Sequence, residues 1–220
     1  MDIQSLRTEI KEYTEGALLP FWIQRTVDKS QGGFITHFNE FGEDSGEDEK
    51  SLIAMTRSVF TYSQAYRHGF GGEVMKEMAE HGVRFLLEKM WDTEHGGFYW
   101  MVNRAGQATN KQKIGYGHSF AIYSLSEYTL ATGDPVGLEY AEKVFDLLQK
   151  YAVDTHYGGY WEFFPFAEDL DLWTRSIPHF KFSNLNFIGI QYNFVPNPKY
   201  NPNVTKILSN YYSSLYGIKK

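Results

Sequence analysis

One phrase occurs three times in this chain, and its spacing constrains the fold more than any other feature. The copies are Asp28-Lys-Ser-Gln-Gly32-Gly33-Phe34, Asp92-Thr-Glu-His-Gly96-Gly97-Phe98 and Asp154-Thr-His-Tyr-Gly158-Gly159-Tyr160. Each is an Asp, three residues, a glycine pair and an aromatic. The glycine pairs stand 64 and 62 residues apart, and a fixed period of that size is the mark of a repeated supersecondary unit. It leaves room for two full helices and a long loop per repeat.

Between the phrases, two kinds of helix alternate. Leu6, Ile10, Tyr13, Ala17 and Phe21 fall at helical spacing among charged neighbours, which predicts an amphipathic helix over about residues 3–19, ended near Pro20 and wet on one face. Residues 51–68 predict a second helix, with Arg57 its only charge before Arg67. A helix apolar on nearly every face belongs in an interior. A third, over about 73–90, is amphipathic. A fourth, over about 116–131, is apolar on most faces like the second. Gly133-Asp134-Pro135 then gives a helix end, an N-cap and a first-turn proline in succession, and the fifth helix, carrying Leu138, Ala141, Val144, Phe145, Leu148 and Tyr151, is amphipathic again. The alternating aromatic run after Phe98 predicts a short hairpin turning at Asn103 to Gly106.

Outer and inner helices in alternation predict an all-α, double-layered toroid, with the glycine-pair loops gathered at one end beside the pocket mouth. With 42% hydrophobic residues in 220 the chain can bury a sizeable core. It has no cysteine, which excludes disulfides and thiol chemistry and suits a reducing cytoplasm. No stretch reads as a signal peptide or membrane span, so a cytoplasmic protein is expected. The net charge of −6 argues against nucleic acid as a partner. No phosphate-cradling glycine loop and no Gly-x-Ser-x-Gly elbow is present.

The pattern breaks near its end. A sixth, inner helix is due near residue 180, but Pro196, Pro198 and Pro202 interrupt the segment. After Asp171 there is no acidic residue, while Arg175, Lys181, Lys199, Lys206, Lys219 and Lys220 leave residues 1–171 at a net −12. The division expected is residues 1–177 as the N-terminal half of a toroid and 178–220 as an atypical Asn, Lys and aromatic-rich tail. That tail is read either as the product of a shifted or truncated frame or as a basic tail with a terminal helix over 204–216.

The segments Arg57 to Gly69 (RSVFTYSQAYRHG), Asp92 to Gly106 (DTEHGGFYWMVNRAG) and Tyr116 to Pro135 (YGHSFAIYSLSEYTLATGDP) together resemble the N-acylglucosamine 2-epimerase family, which includes cellobiose 2-epimerases and aldose-ketose isomerases. The resemblance covers residues 1 to about 164. It implies an (α/α)6 toroid of the six-hairpin type, here about half complete, and cofactor-free proton abstraction at C2 of a sugar with a free reducing end. In the family one histidine removes the proton and a second returns it, both on later inner helices, and because this chain ends before most of those helices it is expected to have little or no activity. An arginine on the second helix assists at the oxygens. Arg57 matches that arginine, and Tyr116 and His118 match the pocket-lining start of the fourth helix.

Each candidate also has a reading of its own. A guanidinium on an uncharged inner helix must meet a carboxylate, carbonyls or a water-filled cavity, so Arg57 is either a structural ion pair or a catalytic cation able to stabilise an enediolate. His118, one turn into a buried helix, is either an acid-base group or a satisfied core histidine. Tyr116 and Trp100 either stack on a pyranose ring or fill the core. His37, His95 and His156 lack metal spacing, and no metal site is expected. His81 reads as a surface or packing residue, and Asp28, Asp92 and Asp154 as the groups that close the glycine turns. Two other functions stay open. A glycoside hydrolase or lyase would need two opposed carboxylates, and Glu127 alone lies well inside an inner helix. An inactive sugar- or protein-binding half-ring would expose an apolar edge expected to drive homodimerisation.

Overall fold

The computed structural model describes residues 2–155 and 158–163. The tail from 164 onward, the expected boundary at 177 and His156 lie outside the described residues. Among the described residues there are six α-helices: α1 (Ile3–Tyr13), α2 (Leu19–Thr26), α3 (Leu52–Arg67), α4 (Glu73–Phe85), which runs on into a π-helical turn over Leu86–Met90, α5 (Gly115–Thr132) and α6 (Pro135–Tyr151). Capping sets their starts. Asp2 accepts from Ser5 N at 2.8 Å, Ser51 from Ala54 N at 3.2 Å and Asp134 from Val136 N at 3.0 Å. Gly133, at φ 79°, ends α5 before Pro135 opens α6.

The two helices expected to be interior differ: α3 buries one stripe, Leu52, Met55, Thr56, Val59, Tyr62 and Ser63, and exposes Arg57 and Thr61. α5 buries residues all round, from Gly115 through Thr129. α4 and α6 bury one stripe each, Met75, Ala79, Val83 and Phe85 on the first and Leu138, Ala141, Val144 and Leu148 on the second. α3 lies beside α5, α4 packs on both, and α6 packs on α5. Close approach is bought by small residues. A Cβ on Gly82 of α4 would stand 2.6 Å from Val59, and one on Gly137 of α6 would stand 2.4 Å from the Leu125 carbonyl oxygen.

The first helix departs from expectation. It does not stop at Pro20. The backbone widens into a π-helical turn over Thr14–Leu18 and continues as α2, with Pro20 in its first turn, where a missing N–H costs nothing. Its apolar stripe is not covered by any described residue: Ile3, Leu6, Ile10 and Tyr13 are all exposed, and α1 buries nothing.

The three phrases form one turn repeated. In each, the Asp N–H donates to the carbonyl of the second glycine and the first glycine N–H donates back to the Asp carbonyl, at 2.9 to 3.0 Å for Asp28, 2.8 to 2.9 Å for Asp92 and 2.9 Å for Asp154. Both glycines of every pair have positive φ, a backbone that side chains rarely tolerate. Isolated bridges Val27↔Phe34, Trp91↔Phe98 and Val153↔Tyr160 close the three loops alike.

Successive repeats are stitched by backbone at the N-terminal ends of the inner helices. Leu52 N donates to Trp100 O at 3.0 Å, and Gly115 N donates to Glu162 O at 2.6 Å. A small antiparallel sheet carries the first of these joints: β1 (Lys50–Ser51) pairs with β2 (Met101–Val102), which pairs with β3 (Ala108–Asn110). β2 and β3 are the expected hairpin, and Gly106 N bonds Asn103 O at 2.9 Å across its turn.

Candidate functional site

The loop layer is held by buried cations that the sequence reading missed. Asp28 Oδ1 accepts from Ser30 N, Ser30 Oγ and Gln31 N, closing the turn as expected. Its Oδ2 receives the Lys50 ammonium at 2.9 Å and Arg104 Nε at 3.1 Å. Lys50 is wholly buried and also donates to Gly32 O at 2.5 Å. Burial alone would raise the Asp28 carboxyl, but Lys50, Ser30, the Gln31 N–H and Arg104 outweigh it and hold the group well below the usual carboxylate range. Burial pulls Lys50 down, against the pull of Asp28. Arg104, from the hairpin of the second repeat, also reaches Asp44 at 2.8 Å, which ties down the acidic loop that follows the first phrase.

The second loop has the same plan. Asp92 Oδ1 accepts from Glu94 N and His95 N, and Lys113 Nζ stands 3.1 Å from Oδ2. Burial pushes Lys113 down to about 8 although Asp92 opposes it. Lys50 follows Asp28 by 22 residues and Lys113 follows Asp92 by 21, each just before an inner helix. That recurrence is a signal the sequence carries.

His118 belongs to this layer. Its Nε2 accepts the Phe98 N–H at 2.9 Å and its Nδ1 faces Ile114 O at 2.8 Å, which places the proton on Nδ1 and leaves the ring neutral. Complete burial, helped by nearby Lys113 and opposed by the Ile114 carbonyl, pushes it down to about 3. A Cβ on Gly97 would come 2.7 Å from that Nε2, so the second glycine of the phrase is needed for the histidine's approach. This geometry is that of the satisfied core histidine, one of the two readings of the residue. His81 plays a matching part from α4, contacting Gly33 O at 2.8 Å.

Arg57 lies on the opposite side of α3, on the open face that α3 and α5 share away from the outer helices. Its side chain is exposed and makes no hydrogen bond or ion pair among the described residues, while its carbonyl accepts from Thr61 Oγ1 at 2.8 Å. The guanidinium carbon sits 5.9 Å from the centre of the Phe120 ring. Tyr116 meets the same ring edge to face at 4.9 Å. Phe120 further contacts Tyr123 at 6.3 Å, and Tyr123 stacks on Phe60 at 3.9 Å. Phe60, Tyr116, Phe120 and Tyr123 are all half-buried. Trp100 wedges between the first turns of the two inner helices, where a Cβ on Gly117 would be 2.9 Å from both its ring and Leu52. Of the candidates read from sequence, Arg57 and Tyr116 therefore converge on Phe120, Trp100 lies at the adjoining helix end, and His118 points away into the loops. Phe60, Phe120 and Tyr123 were missed, although aromatics at positions 120 and 123, one turn and two turns after Tyr116, signal a shared face.

Glu127, the inner-helix acid, is at the far end of α5 and is gripped by Arg67 of α3, with Nε to Oε1 at 2.5 Å and Nη2 to Oε2 at 3.3 Å. Burial raises its carboxyl despite that pairing. It crosslinks two helices. Among the described residues there is no group of three or more His, Cys, Asp or Glu able to hold a metal, and no helix is long and apolar enough to cross a membrane.

Comparison with known proteins places these features in context. Residues 33–216 match the family model of N-acylglucosamine 2-epimerase (GlcNAc 2-epimerase), a span that takes in most of the tail. Cellobiose 2-epimerase of Bacteroides fragilis is 38% identical over 157 residues, which are 71% of this chain and 40% of that protein. D-mannose isomerase of Marinomonas mediterranea is 27% identical over 142 residues, 64% of this chain and 35% of that protein. In structure, cellobiose 2-epimerase of Spirochaeta thermophila superposes with a TM-score of 0.71 at 30% identity, covering 97% of this chain and 49% of that one. The chain spans about 40% of the length of the curated relatives it matches.

Proposed function

The chain belongs to the N-acylglucosamine 2-epimerase family, and from that premise we propose that it supplies one wall of a pocket in which a sugar with a free reducing end is epimerised or isomerised at C2. The observation that carries this reading is Arg57, a guanidinium with no carboxylate partner among the described residues, set in half-buried aromatics on the inner helices. Removing the proton beside the carbonyl of the opened sugar moves negative charge onto O1 and O2 as an enediolate. An uncompensated guanidinium is suited to meet that charge as it develops. Tyr116 and Trp100, at the mouth end of the same face, offer ring faces and a hydroxyl for orienting the sugar.

In this proposal His118 is not the acid or base. Its ring nitrogens are already committed to backbone, so proton transfer falls to groups outside the described residues, and His118 holds the second loop in place. No cofactor takes part. The complete (α/α)6 ring, of which the described helices form less than half, would provide the facing wall. The hydrolase reading loses its one inner-helix acid, since Glu127 is locked to Arg67.

The test is exchange of the C2 hydrogen of cellobiose into deuterated water, followed by proton NMR. Wild-type protein should catalyse exchange, and Arg57→Ala should slow it by about 10²-fold or more. Exchange by Arg57→Ala at the wild-type rate would remove Arg57 from the mechanism. Release of glucose without exchange would point to a hydrolase instead.

A further inference from the structure

We propose that Phe120 is a positioning residue for this reaction, holding the Arg57 guanidinium in place across the seam between α3 and α5 without neutralising it. The inference rests on the role proposed for Arg57. A flexible, exposed arginine samples many rotamers, and ordering it costs entropy that must be met by some contact. The usual contact is a carboxylate, which would also cancel much of the charge on offer to a developing oxyanion. An aromatic face attracts the cation through its quadrupole while remaining uncharged, and it leaves the five N–H donors at the edge of the guanidinium plane able to bond a ligand.

The Phe120 ring is itself fixed by a circuit of contacts. Tyr116 braces it edge to face at 4.9 Å and an interplanar angle of 70°, and Tyr123 does so from the other side at 6.3 Å and 87°. Tyr123 stacks at 3.9 Å and 22° on Phe60, and Phe60 stands three residues after Arg57 on α3, one turn along. The circuit thus leaves α3 at Arg57, crosses to α5 through Phe120, passes to Tyr123 and returns to α3 at Phe60. Among the described residues neither the Arg57 guanidinium nor the Phe120 ring has a further partner that would do this work. A ring that only filled core would be covered by apolar atoms. Phe120 is half-buried, and a cation stands over it.

Two variants separate positioning from packing. Phe120→Tyr keeps the ring face, whereas Phe120→Leu keeps an apolar side chain and removes it. With arginine labelled in 13C and 15N, the Arg57 side-chain protons in wild-type protein should lie upfield through the ring current of Phe120. They should stay there in Phe120→Tyr and move to ordinary arginine positions in Phe120→Leu. C2 exchange should fall about tenfold in Phe120→Leu, mostly in kcat, and stay within about twofold of wild type in Phe120→Tyr. Unchanged Arg57 resonances in Phe120→Leu would overturn the inference, as would a moved resonance with an unchanged exchange rate. Absence of exchange in wild-type protein would instead count against the proposed function, while the resonance positions would still decide whether Phe120 holds Arg57.

Discussion

Lys50 and Arg57 stand seven residues apart and meet opposite fates. Lys50 is wholly buried in the loop layer, with a carboxylate, a carbonyl and the Phe85 ring around its ammonium. Arg57 faces outward from the inner helices with, among the described residues, only an aromatic ring beside its guanidinium. Burying a charge is tolerable when an opposite charge meets it, and the loop layer pairs a buried lysine with a buried aspartate at each of its first two repeats. Among the described residues the inner face leaves its cation without an opposite charge. Under the proposed function, stability and turnover fall to separate ends of the same short stretch of chain, and exchanges at the two ends should fail in different ways.

The largest loss is expected where a buried pair is broken. Lys113→Met leaves Asp92 buried with backbone donors but no close lysine, and should cost about 3–5 kcal/mol in urea unfolding. Lys50→Met should cost less than Lys113→Met, because Arg104 remains on Asp28. Adding Asp28→Asn to Lys50→Met should restore part of the loss, since the charge left behind is then removed. A cost under about 1 kcal/mol for both lysine variants would mean that water reaches these ions and that the contrast with Arg57 is not one of burial.

A smaller effect is expected from pH. The folded value for His118, about 3, lies below the ordinary 6.5. Between those values the unfolded chain takes up a proton that the native ring refuses, because both nitrogens are committed. The stability that neutral His118 provides is complete above pH 6.5 and is lost as pH falls through 6.5 toward 3, on the order of 2 kcal/mol by pH 5. Asp28 and Asp92 are both lowered, so their contribution is intact at pH 5 and disappears only below about pH 4. Melting curves at pH 7 and pH 5 should show the loss in wild type and a flatter response in His118→Gln. Equal slopes in the two proteins would place the sensitivity elsewhere.

The sequence made the repeat visible because the turn that each phrase forms is local. Two consecutive residues at positive φ demand glycines wherever the turn occurs, and the Asp that satisfies the turn's N–H groups must stand at a fixed offset. α5 and the outer helices were visible for a similar reason, since burial on all faces or on one face writes itself into every third or fourth residue, whereas α3, apolar on nearly every face, buries only one stripe. The lysines were harder to read. Lys50 and Lys113 meet their aspartates 22 and 21 residues away, and a lone lysine before a helix looks like any solvated charge until the two distances are compared. His118 shows the limit from the other side: its position, one turn into an inner helix, suited catalysis, but what the ring touches is set by a loop twenty residues earlier. The end of α1 misled through Pro20, which starts a helical turn as readily as it stops one.

Glu162 tests whether an unmatched charge always signals function. Its Oε2 is buried with no hydrogen-bond partner among the described residues, and burial raises its carboxyl. Glu162→Gln removes a charge that gains nothing from its surroundings. It should raise stability at pH 7 by about 0.5 kcal/mol once partial solvent access is allowed for, with the difference from wild type narrowing as the pH falls and the carboxyl takes up its proton. A loss of stability would mean that the carboxylate has a partner in the folded protein.

The smallest effect on stability, and the largest on turnover, is expected from Arg57→Ala. The side chain is exposed and makes no ion pair among the described residues, so little binding energy in the fold is lost. Alanine is also the stronger helix former at a mid-helix position. The unfolding free energy should therefore stay within about 0.5 kcal/mol of wild type. Should the variant instead lose several kcal/mol, Arg57 would be a structural cation like Lys50, and its place on the open face would reflect packing against groups outside the described residues. Unchanged stability with lost C2 exchange would divide the two cations by what they serve, since an enzyme can leave a charge unmatched in the resting protein only where a ligand is to match it.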